Sequence, residues 1–290
     1  MLKKLINTAV TGKHNDMKLH HLFEQSQDWD WLRENWMRFS TSLSDAMREV
    51  FILRGMSDEV DLEVRDPKQT LRHSRGRVGN LYNIIIDNSS KWSRYPARSR
   101  SWICGSSYNI AQLYGDVHIM LLENQSRIAI CPGEDLWYSF SESIESVFQT
   151  HELSDLDDMA TATGRLFRIY LNRLPRYLAD YDITVLRTEL QQLHEAIQAK
   201  GLEAAARDPQ AEIVARWMHE QKSADIIPQL DHMLDPVSND FELTTLEQYD
   251  HERNHEIWSD GVALILPYHK WDEYSEQFRK LVQGGARSRI

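Results

Sequence analysis

The chain has 290 residues, of which 41% are hydrophobic and 10% aromatic, so it can bury a substantial core and is not expected to be disordered. Its formal net charge of −11 argues against a surface that binds polyanions everywhere, because the summed negative potential repels phosphate at long range. The two cysteines, Cys104 and Cys131, suit neither a disulfide framework nor a structural zinc site, which needs four Cys or His ligands at suitable spacing, and we expect no metal.

The N-terminus carries no predicted targeting segment. Residues 1–10 include two lysines and only a short apolar run before a polar stretch, which is unlike a secretory signal. A run of about 18 apolar residues occurs nowhere in the sequence, so an ordinary transmembrane helix is not expected. The sequence therefore predicts a cytoplasmic protein with no membrane partner.

The first fifty residues read mostly as helix. Residues 16–50 place apolar side chains close to the i, i+3, i+4 spacing of a buried helix face, so residues 1–50 are predicted as an N-terminal helical segment. The character of the sequence then changes. Residues 50–53 are rich in β-formers and predict a strand that ends at Arg54 and Gly55.

The rest of the chain predicts a β-rich region, a long helical region and a β-rich end. Periodicity and residue type predict, in order, a helix or strand at 81–86, a strand, short helix and strand within 101–122, a strand at 127–131, helices through 142–235, strands at 256–258 and 262–267, and a helix at 271–282. Pro175, Gly201 and Pro228 punctuate the helical region. This mixture predicts an α+β fold.

Three separated segments join a predicted strand to a polar residue. Residues 51–55 (Phe-Ile-Leu-Arg-Gly) end a strand in arginine and glycine, residues 103–106 (Ile-Cys-Gly-Ser) end a strand before a helix, and residues 255–258 (His-Glu-Ile-Trp) open a strand with a glutamate. In this order they resemble the three site-forming motifs of the ADP-ribosyltransferase superfamily. Cys104 and Gly105 depart from that pattern, because the family often has serine and threonine there.

The resemblance implies that NAD is the substrate. Breaking the bond between nicotinamide and ribose develops positive charge on the ribose, so the site needs a carboxylate there, a cation for the pyrophosphate and a small polar residue to orient the ribose. The resemblance implies that Arg54 binds NAD phosphate, that Ser106 positions the ribose and that Glu256 stabilises the oxocarbenium-like transition state. By the same resemblance, the residues expected to bind NAD are Arg54, Gly55, Ser106, Ser107 and Tyr114.

The resemblance also implies a division of the chain. A split, mostly antiparallel β core of ADP-ribosyltransferase type is expected from residues 51–141 together with 246–290. Residues 1–50 would add N-terminal helices to this core. The gap between the second and third motifs is long for the family, and it requires a helical insertion, which we expect at residues 142–245.

Other interpretations of the site residues remain open. Glu134 and Asp135, in a loop directly after a predicted strand, are rival candidates for the catalytic acid. Arg54 can be a surface arginine that pairs with an acid a few positions further on. Ser106 can cap the helix that follows it, and Glu256 can be a solvated residue of an edge strand.

A basic segment precedes the second motif. Residues 65–100 contain nine Arg or Lys against two acids, a local balance of +7 within an acidic chain. Basic side chains mixed with aromatic rings suit single-stranded nucleic acid, which offers phosphates to neutralise and bases to stack. The residues predicted to bind the acceptor are Arg94, Arg98, Arg100, Trp92 and Tyr95. Alternatively, some of these arginines bind NAD or pair with acids of the helical region.

Together these features predict a toxin-like, NAD-dependent ADP-ribosyltransferase whose favoured acceptor is single-stranded RNA or DNA. Similar enzymes occur in phage-defence and toxin–antitoxin systems, so an inhibitory partner such as an antitoxin is a further expectation. Three alternatives remain: a protein acceptor, an NAD glycohydrolase in which water is the acceptor, and a catalytically inactive phage structural or binding module of the same fold.

Overall fold

The structure, a computed structural model, describes residues 31–58, 60–72, 80–178, 181–251 and 255–287. Residues 1–30 of the predicted N-terminal helical segment lie outside these ranges. Contacts between residues divide the chain into two units, each containing one four-stranded sheet. Unit 1 comprises residues 1–65, 107–125 and 262–290, and unit 2 comprises residues 66–106 and 126–261.

The strands form two antiparallel sheets. They are β1 (Leu53–Met56), β2 (Glu63–Arg65), β3 (Trp102–Cys104), β4 (Asp116–Leu122), β5 (Arg127–Ile130), β6 (Glu242–Thr245), β7 (Ile257–Ser259) and β8 (Ala263–Pro267). Sheet A, in unit 1, has the strand order β1-β4-β8-β2, and sheet B, in unit 2, has the order β3-β7-β5-β6. Every neighbouring pair is antiparallel. The prediction of an α+β fold is confirmed.

α-Helices lie before, between and after these strands. They are α1 (Ser40–Ala46), α2 (Asn80–Asn88), α3 (Tyr108–Gln112), α4 (Ser141–Phe148), α5 (Leu156–Leu171), α6 (Ile183–Lys200), α7 (Pro209–Glu220), α8 (Ile227–Met233) and α9 (Trp271–Arg287). An aspartate carboxylate accepts backbone N–H groups at the start of α5, α6 and α7, which fixes where these helices begin. These capping residues are Asp155, Asp182 and Asp208.

Helix α3 packs directly on strand β1, and two glycines make this packing possible. A Cβ atom at Gly55 would lie 1.9 Å from the carbonyl oxygen of Ala111 and 2.9 Å from Cβ of Tyr114. Gly115, just after the helix, has a φ of +135°, and a Cβ there would lie 2.3 Å from the carbonyl oxygen of Met56. The glycine of the predicted first motif is therefore required by packing, because helix backbone occupies the space of its side chain.

Unit 2 packs its helices and sheet B around one hydrophobic core. The same cluster of buried side chains contains Ala129 of β5, Trp258 of β7, Leu166 of α5 and Leu193 of α6. The helices within residues 142–245 therefore share their core with a sheet that carries two of the predicted motifs. The division into a catalytic core and an insertion stays a prediction.

Three strands differ from the prediction, and one segment left open between helix and strand is decided. Strand β1 begins at Leu53, later than the predicted residue 50. The segment 81–86, read as either helix or strand, lies within helix α2. Strands β2 and β6 were not predicted, because each is short and rich in polar residues and is a strand through pairing at the end of its sheet.

Candidate active site

Sheet B brings the second and third predicted motifs to one edge. Strand β3 pairs with β7, and Cys104 lies opposite Ile257. Strand β3 ends at Cys104 and the chain continues to Ser106, whereas β7 begins at Ile257, directly after Glu256. Both residues therefore lie at the same edge of the sheet, the one formed by this end of the two strands. Strand β7 is flanked by β3 and β5. Glu256 therefore precedes a central strand and is not a solvated residue of an edge strand.

The carboxylate of Glu256 is mostly buried and is contacted through one oxygen. Its side chain is 14% exposed, and Oε1 lies 2.7 Å from Nη2 of Arg98. The Sγ of Cys131 lies 3.8 Å from the same oxygen, and the backbone N–H of Cys131 donates to the Glu256 carbonyl at 2.9 Å. Among the described residues, none hydrogen-bonds Oε2 of Glu256. That oxygen is left to solvent or to a ligand.

Arg98 is the cation that faces Glu256. Its side chain is 2% exposed, and its guanidinium carbon lies 5.1 Å from the ring centroid of Trp258. Nε and Nη1 of Arg98 are buried without a hydrogen-bond partner in the described part of the chain. Burial, the largest single effect, lowers the pKa of Arg98, but the charge and hydrogen bonding of Glu256 together with contributions from Tyr82 and Cys131 raise the pKa overall. Arg98 is therefore charged inside the site.

Asp87, at the C-terminal end of α2, anchors the backbone from which Arg98 projects. Its Oδ1 accepts the N–H of Arg98 at 2.6 Å, and its Oδ2 accepts the N–H of Ser99 at 3.1 Å. The hydroxyl of Tyr181 donates to Oδ2 at 2.8 Å. Burial and the charge of Asp87 raise the pKa of Tyr181, so this phenol stays a donor. These contacts restrict where the guanidinium can lie.

The charge of Glu256 contributes to a raised pKa of the rival acid Asp135. Burial first, and then the negative charge of Glu256, raises the pKa of Asp135 to about 6, although its Oδ1 accepts the N–H of Trp137 at 2.7 Å. The same two causes raise the pKa of the Cys131 thiol well above its usual range. Glu134, the other rival, is exposed. Of the two rival acids, Asp135 belongs to the electrostatic environment of Glu256.

We expect Asp135→Asn to stabilise the protein at neutral pH but not at acid pH. The pKa of Asp135 is raised from 3.8 to about 6, so the folded state favours the protonated acid. The stability that the folded state gains from the protonated Asp135 carboxyl is fully present below about pH 4 and is lost as the pH rises through about 6. Asparagine carries no charge and can still accept the N–H of Trp137. The variant should therefore be about 1–2 kcal/mol more stable than wild type at about pH 7.5, after allowance for partial solvent screening.

Urea unfolding at about pH 4 and about pH 7.5 measures this difference in the free energy of unfolding. Glu134→Gln, at the exposed neighbouring acid, is the matched control and should change stability by less than about 0.5 kcal/mol at both pH values. A gain of equal size at both pH values for Asp135→Asn would contradict a penalty on the ionised carboxylate.

The other residues predicted to bind NAD belong to unit 1. Arg54 and Gly55 lie on strand β1, and Tyr114 follows α3 with its side chain 43% exposed. Ser107 is the N-cap of α3, and its Oγ accepts the N–H of the third helical residue at 3.4 Å. The helix is thus capped by Ser107, whereas the alternative interpretation gave this role to Ser106. The contribution of the unit 1 residues to an NAD site stays a prediction.

The two aromatic residues predicted to bind the acceptor are engaged inside unit 2. Trp92 is 3% exposed, and its Nε1 donates to the carbonyl of Leu234 at 2.7 Å. Tyr95 is half-buried, and its hydroxyl donates to the carbonyl of Phe241 at 2.9 Å. The prediction that Trp92 stacks on an acceptor base is therefore wrong for this structure, because hydrophobic packing covers the indole.

The arginines predicted to bind the acceptor are divided between surface and interior. Arg94 and Arg100 are exposed, as predicted for residues that meet a macromolecule. Arg98 is buried against Glu256, so its assignment to the acceptor surface is wrong. The sequence could not distinguish these cases, because the burial of Arg98 depends on a partner more than a hundred positions away.

Two further exposed cations, not singled out from the sequence as acceptor residues, join this surface. Nη1 of Arg127 donates to the carbonyl of Arg94 at 3.0 Å, and Nη1 of Arg100 donates to the carbonyl of Lys68 at 2.7 Å. We call Lys68, Arg94, Arg100 and Arg127 the basic cluster. Asp260 pairs with Lys68 at 3.3 Å and with Arg127 at 2.7 Å. The four cations outnumber this acid, so the cluster carries a positive excess.

The described residues contain no group of three or more His, Cys, Asp or Glu side chains arranged to hold a metal ion. Within the same ranges, every helix is too short or too polar to span a lipid bilayer. Comparisons of the chain with protein-family models, with curated proteins and with solved structures found no match in any of the three.

Proposed function

We propose that the chain is an NAD-dependent ADP-ribosyltransferase, which uses NAD as a substrate and transfers ADP-ribose to a macromolecule. The observation that carries this proposal is the common edge of sheet B at which Ser106 and Glu256 lie, next to two hydrogen-bonded strands. Two antiparallel sheets, one bearing Arg54 and the other bearing the second and third motifs, are compatible with the split β core that the resemblance implies.

In the proposed reaction, the bond between the nicotinamide nitrogen and C1′ of the ribose breaks. The bonding electron pair leaves with nicotinamide, and positive charge develops on the ribose. A lone pair of the acceptor then forms the new bond to C1′, and the acceptor loses its proton to solvent. The protein holds NAD and the acceptor in line and places negative charge close to the ribose.

Glu256 suits the charge-stabilising role better than Asp135. The carboxylate of Glu256 lies 2.7 Å from the guanidinium of Arg98, whereas the pKa of Asp135 is raised to about 6, which favours the neutral acid. A developing cation is stabilised by an anion and not by a neutral group. Glu256 also adjoins a central strand, and groups fixed by strands hold their position better than groups in loops.

The other site residues take complementary roles in this proposal. The hydroxyl of Ser106 both donates and accepts hydrogen bonds, which suits a ribose that presents hydroxyl groups. The planar guanidinium of Arg54 can donate two parallel hydrogen bonds to the pyrophosphate. Gly55, Ser107 and Tyr114 are the further residues proposed to bind NAD.

Single-stranded nucleic acid is the acceptor that the basic cluster favours. Its four side chains are exposed and carry a positive excess on a chain of net charge −11. A phosphate backbone provides the complementary charge. Because Trp92 is buried, this interface would rest on phosphate contacts more than on base stacking.

Labelled NAD tests the proposal and separates it from its alternatives. The purified protein is incubated with NAD labelled in the adenylate phosphate, together with single-stranded RNA, single-stranded DNA or a cell lysate. We expect a labelled macromolecule from which nuclease removes the label. Label removed only by protease would identify a protein acceptor, and free ADP-ribose without a labelled macromolecule would identify a glycohydrolase. A protein that neither consumes NAD nor binds it at millimolar concentration would contradict the proposal.

We expect the double variant Arg94→Ala/Arg100→Ala to bind a single-stranded oligonucleotide more weakly and with less dependence on salt. For single strands each phosphate contact contributes about 0.7 to the slope of log affinity against log salt, so loss of two contacts should reduce the slope by about 1.4. Fluorescence anisotropy over a salt series measures this slope. The control, Arg165→Ala/Arg216→Ala, removes the same charge from two exposed helical positions. Equal changes in both proteins would contradict a specific role of the basic cluster.

A further inference from the structure

The Arg98–Glu256 pair sits in the interior although ion pairs are costly to bury. The arginine is 2% exposed and the glutamate 14%. Withdrawing two charges from water carries a large desolvation penalty, and hydrophobic side chains of similar volume often stabilise a fold equally well. Because this buried pair includes the candidate catalytic acid, we infer that it has a role besides stability.

A second buried carboxylate in the same unit, paired with two arginines, provides an internal comparison. Glu189 is 0% exposed and uses both carboxylate oxygens: Oε1 accepts from Nη2 of Arg173 and Nε of Arg176, and Oε2 accepts from Nη1 of Arg173 and the backbone N–H of Arg176. This carboxylate is saturated, as expected for a structural residue. Glu256 differs, because the described residues give it no hydrogen bond to Oε2, and the ion pair with Arg98 is closest at Oε1.

The guanidinium that contacts Oε1 is held from two sides. Its face lies over the ring of Trp258, two positions after the glutamate, and the backbone N–H of Arg98 is bound to Asp87. The backbone of Glu256 is fixed in turn by the N–H of Cys131. Both partners thus have anchored main chains, and the contact between them sets the direction of the carboxylate.

We propose that Arg98 is a positioning residue, which holds Oε1 of Glu256 so that Oε2 meets the nicotinamide ribose. This inference rests on the proposed function of Glu256 as the catalytic acid. Lysine at this position would keep the positive charge, but it would lose the planar group that lies over Trp258 and donates at a fixed angle.

Steady-state kinetics of NAD cleavage test the positioning role. Arg98→Met is expected to lower kcat about a hundredfold and to leave KM for NAD within about threefold, because Arg98 does not touch the substrate. Arg98→Lys should restore part of kcat. Arg173→Met, which removes one of the two arginines that pair with Glu189, should lower stability without this loss of kcat.

A double-mutant cycle in urea unfolding provides a readout that needs no activity. Arg98→Met, Glu256→Gln and the double variant should be non-additive by at least about tenfold in the unfolding equilibrium constant. Additive effects would overturn the proposal whether or not NAD is cleaved. Non-additive effects in a protein that does not cleave NAD would instead contradict the proposed function and reduce the pair to a structural one. An Arg98→Met variant no slower than Arg173→Met would overturn the positioning role alone.

Discussion

Glu256→Gln is expected to slow the release of nicotinamide from NAD by about a hundredfold to a thousandfold. Glutamine keeps the shape of the side chain but removes the negative charge, so positive charge on the ribose would develop without a counter-charge. Release is measured at saturating NAD. Asp135→Asn, which removes the other acid, should retain most of the wild-type rate. The reverse pattern, with Glu256→Gln active and Asp135→Asn inactive, would transfer the catalytic role to Asp135.

This experiment has to separate lost chemistry from lost folding. Removal of one partner leaves the buried Arg98 charge uncompensated, and breaking such a pair costs about 3–5 kcal/mol. Glu189→Gln removes another buried carboxylate, whose arginine partners are more exposed than Arg98, and it serves as a control for the loss of a buried carboxylate. Arg98→Met/Glu256→Gln removes both charges and should recover part of the stability but none of the activity. Recovery of nicotinamide release in this double variant would contradict a catalytic role for Glu256.

Gly55→Ala is expected to destabilise the fold by about 3 kcal/mol, near the upper end of the usual penalty for overpacking. The added Cβ would lie 1.9 Å from the carbonyl oxygen of Ala111, and backbone cannot move aside as a flexible side chain can. Helix α3 would have to lift from strand β1. We also expect NAD binding to suffer, because Arg54 precedes this glycine on the same strand.

Urea unfolding of Gly55→Ala measures the loss of stability. Gly133→Ala is the matched control, because the nearest atom to its added Cβ lies 3.7 Å away, an ordinary contact. It should change stability by less than about 0.5 kcal/mol. Similar unfolding curves for the two variants would contradict the close approach of α3 to β1.

The sequence predicted the fold best where one element carries its own pattern. Strands β4 and β8 are long apolar runs, and the helices of residues 142–235 repeat apolar residues at helical spacing, so local pattern and burial agree. Strand β2 is only Glu-Val-Arg, and it is extended because it pairs with β8. Such strands are fixed by tertiary pairing, which periodicity does not reveal.

The candidate site was predictable where its residues follow a local sequence pattern, and not where they depend on distant partners. Glu256 stood out because it directly precedes an apolar strand, β7. The pairing of β7 with β3 then explains why Ser106 lies at the same edge. Arg98 was predicted at the surface, since an arginine within a basic segment usually faces solvent. Its burial depends on Glu256 and Trp258, which are distant in the chain, and neither shows in the local sequence.

The most direct measurement is a crystal structure of the wild-type protein with an NAD analogue whose nicotinamide bond cannot be cleaved. We expect the nicotinamide ribose within hydrogen-bonding distance of Oε2 of Glu256 and of the Ser106 hydroxyl. An analogue bound away from Glu256, or no binding at millimolar concentration, would contradict the assignment of this sheet edge as an NAD-cleaving site.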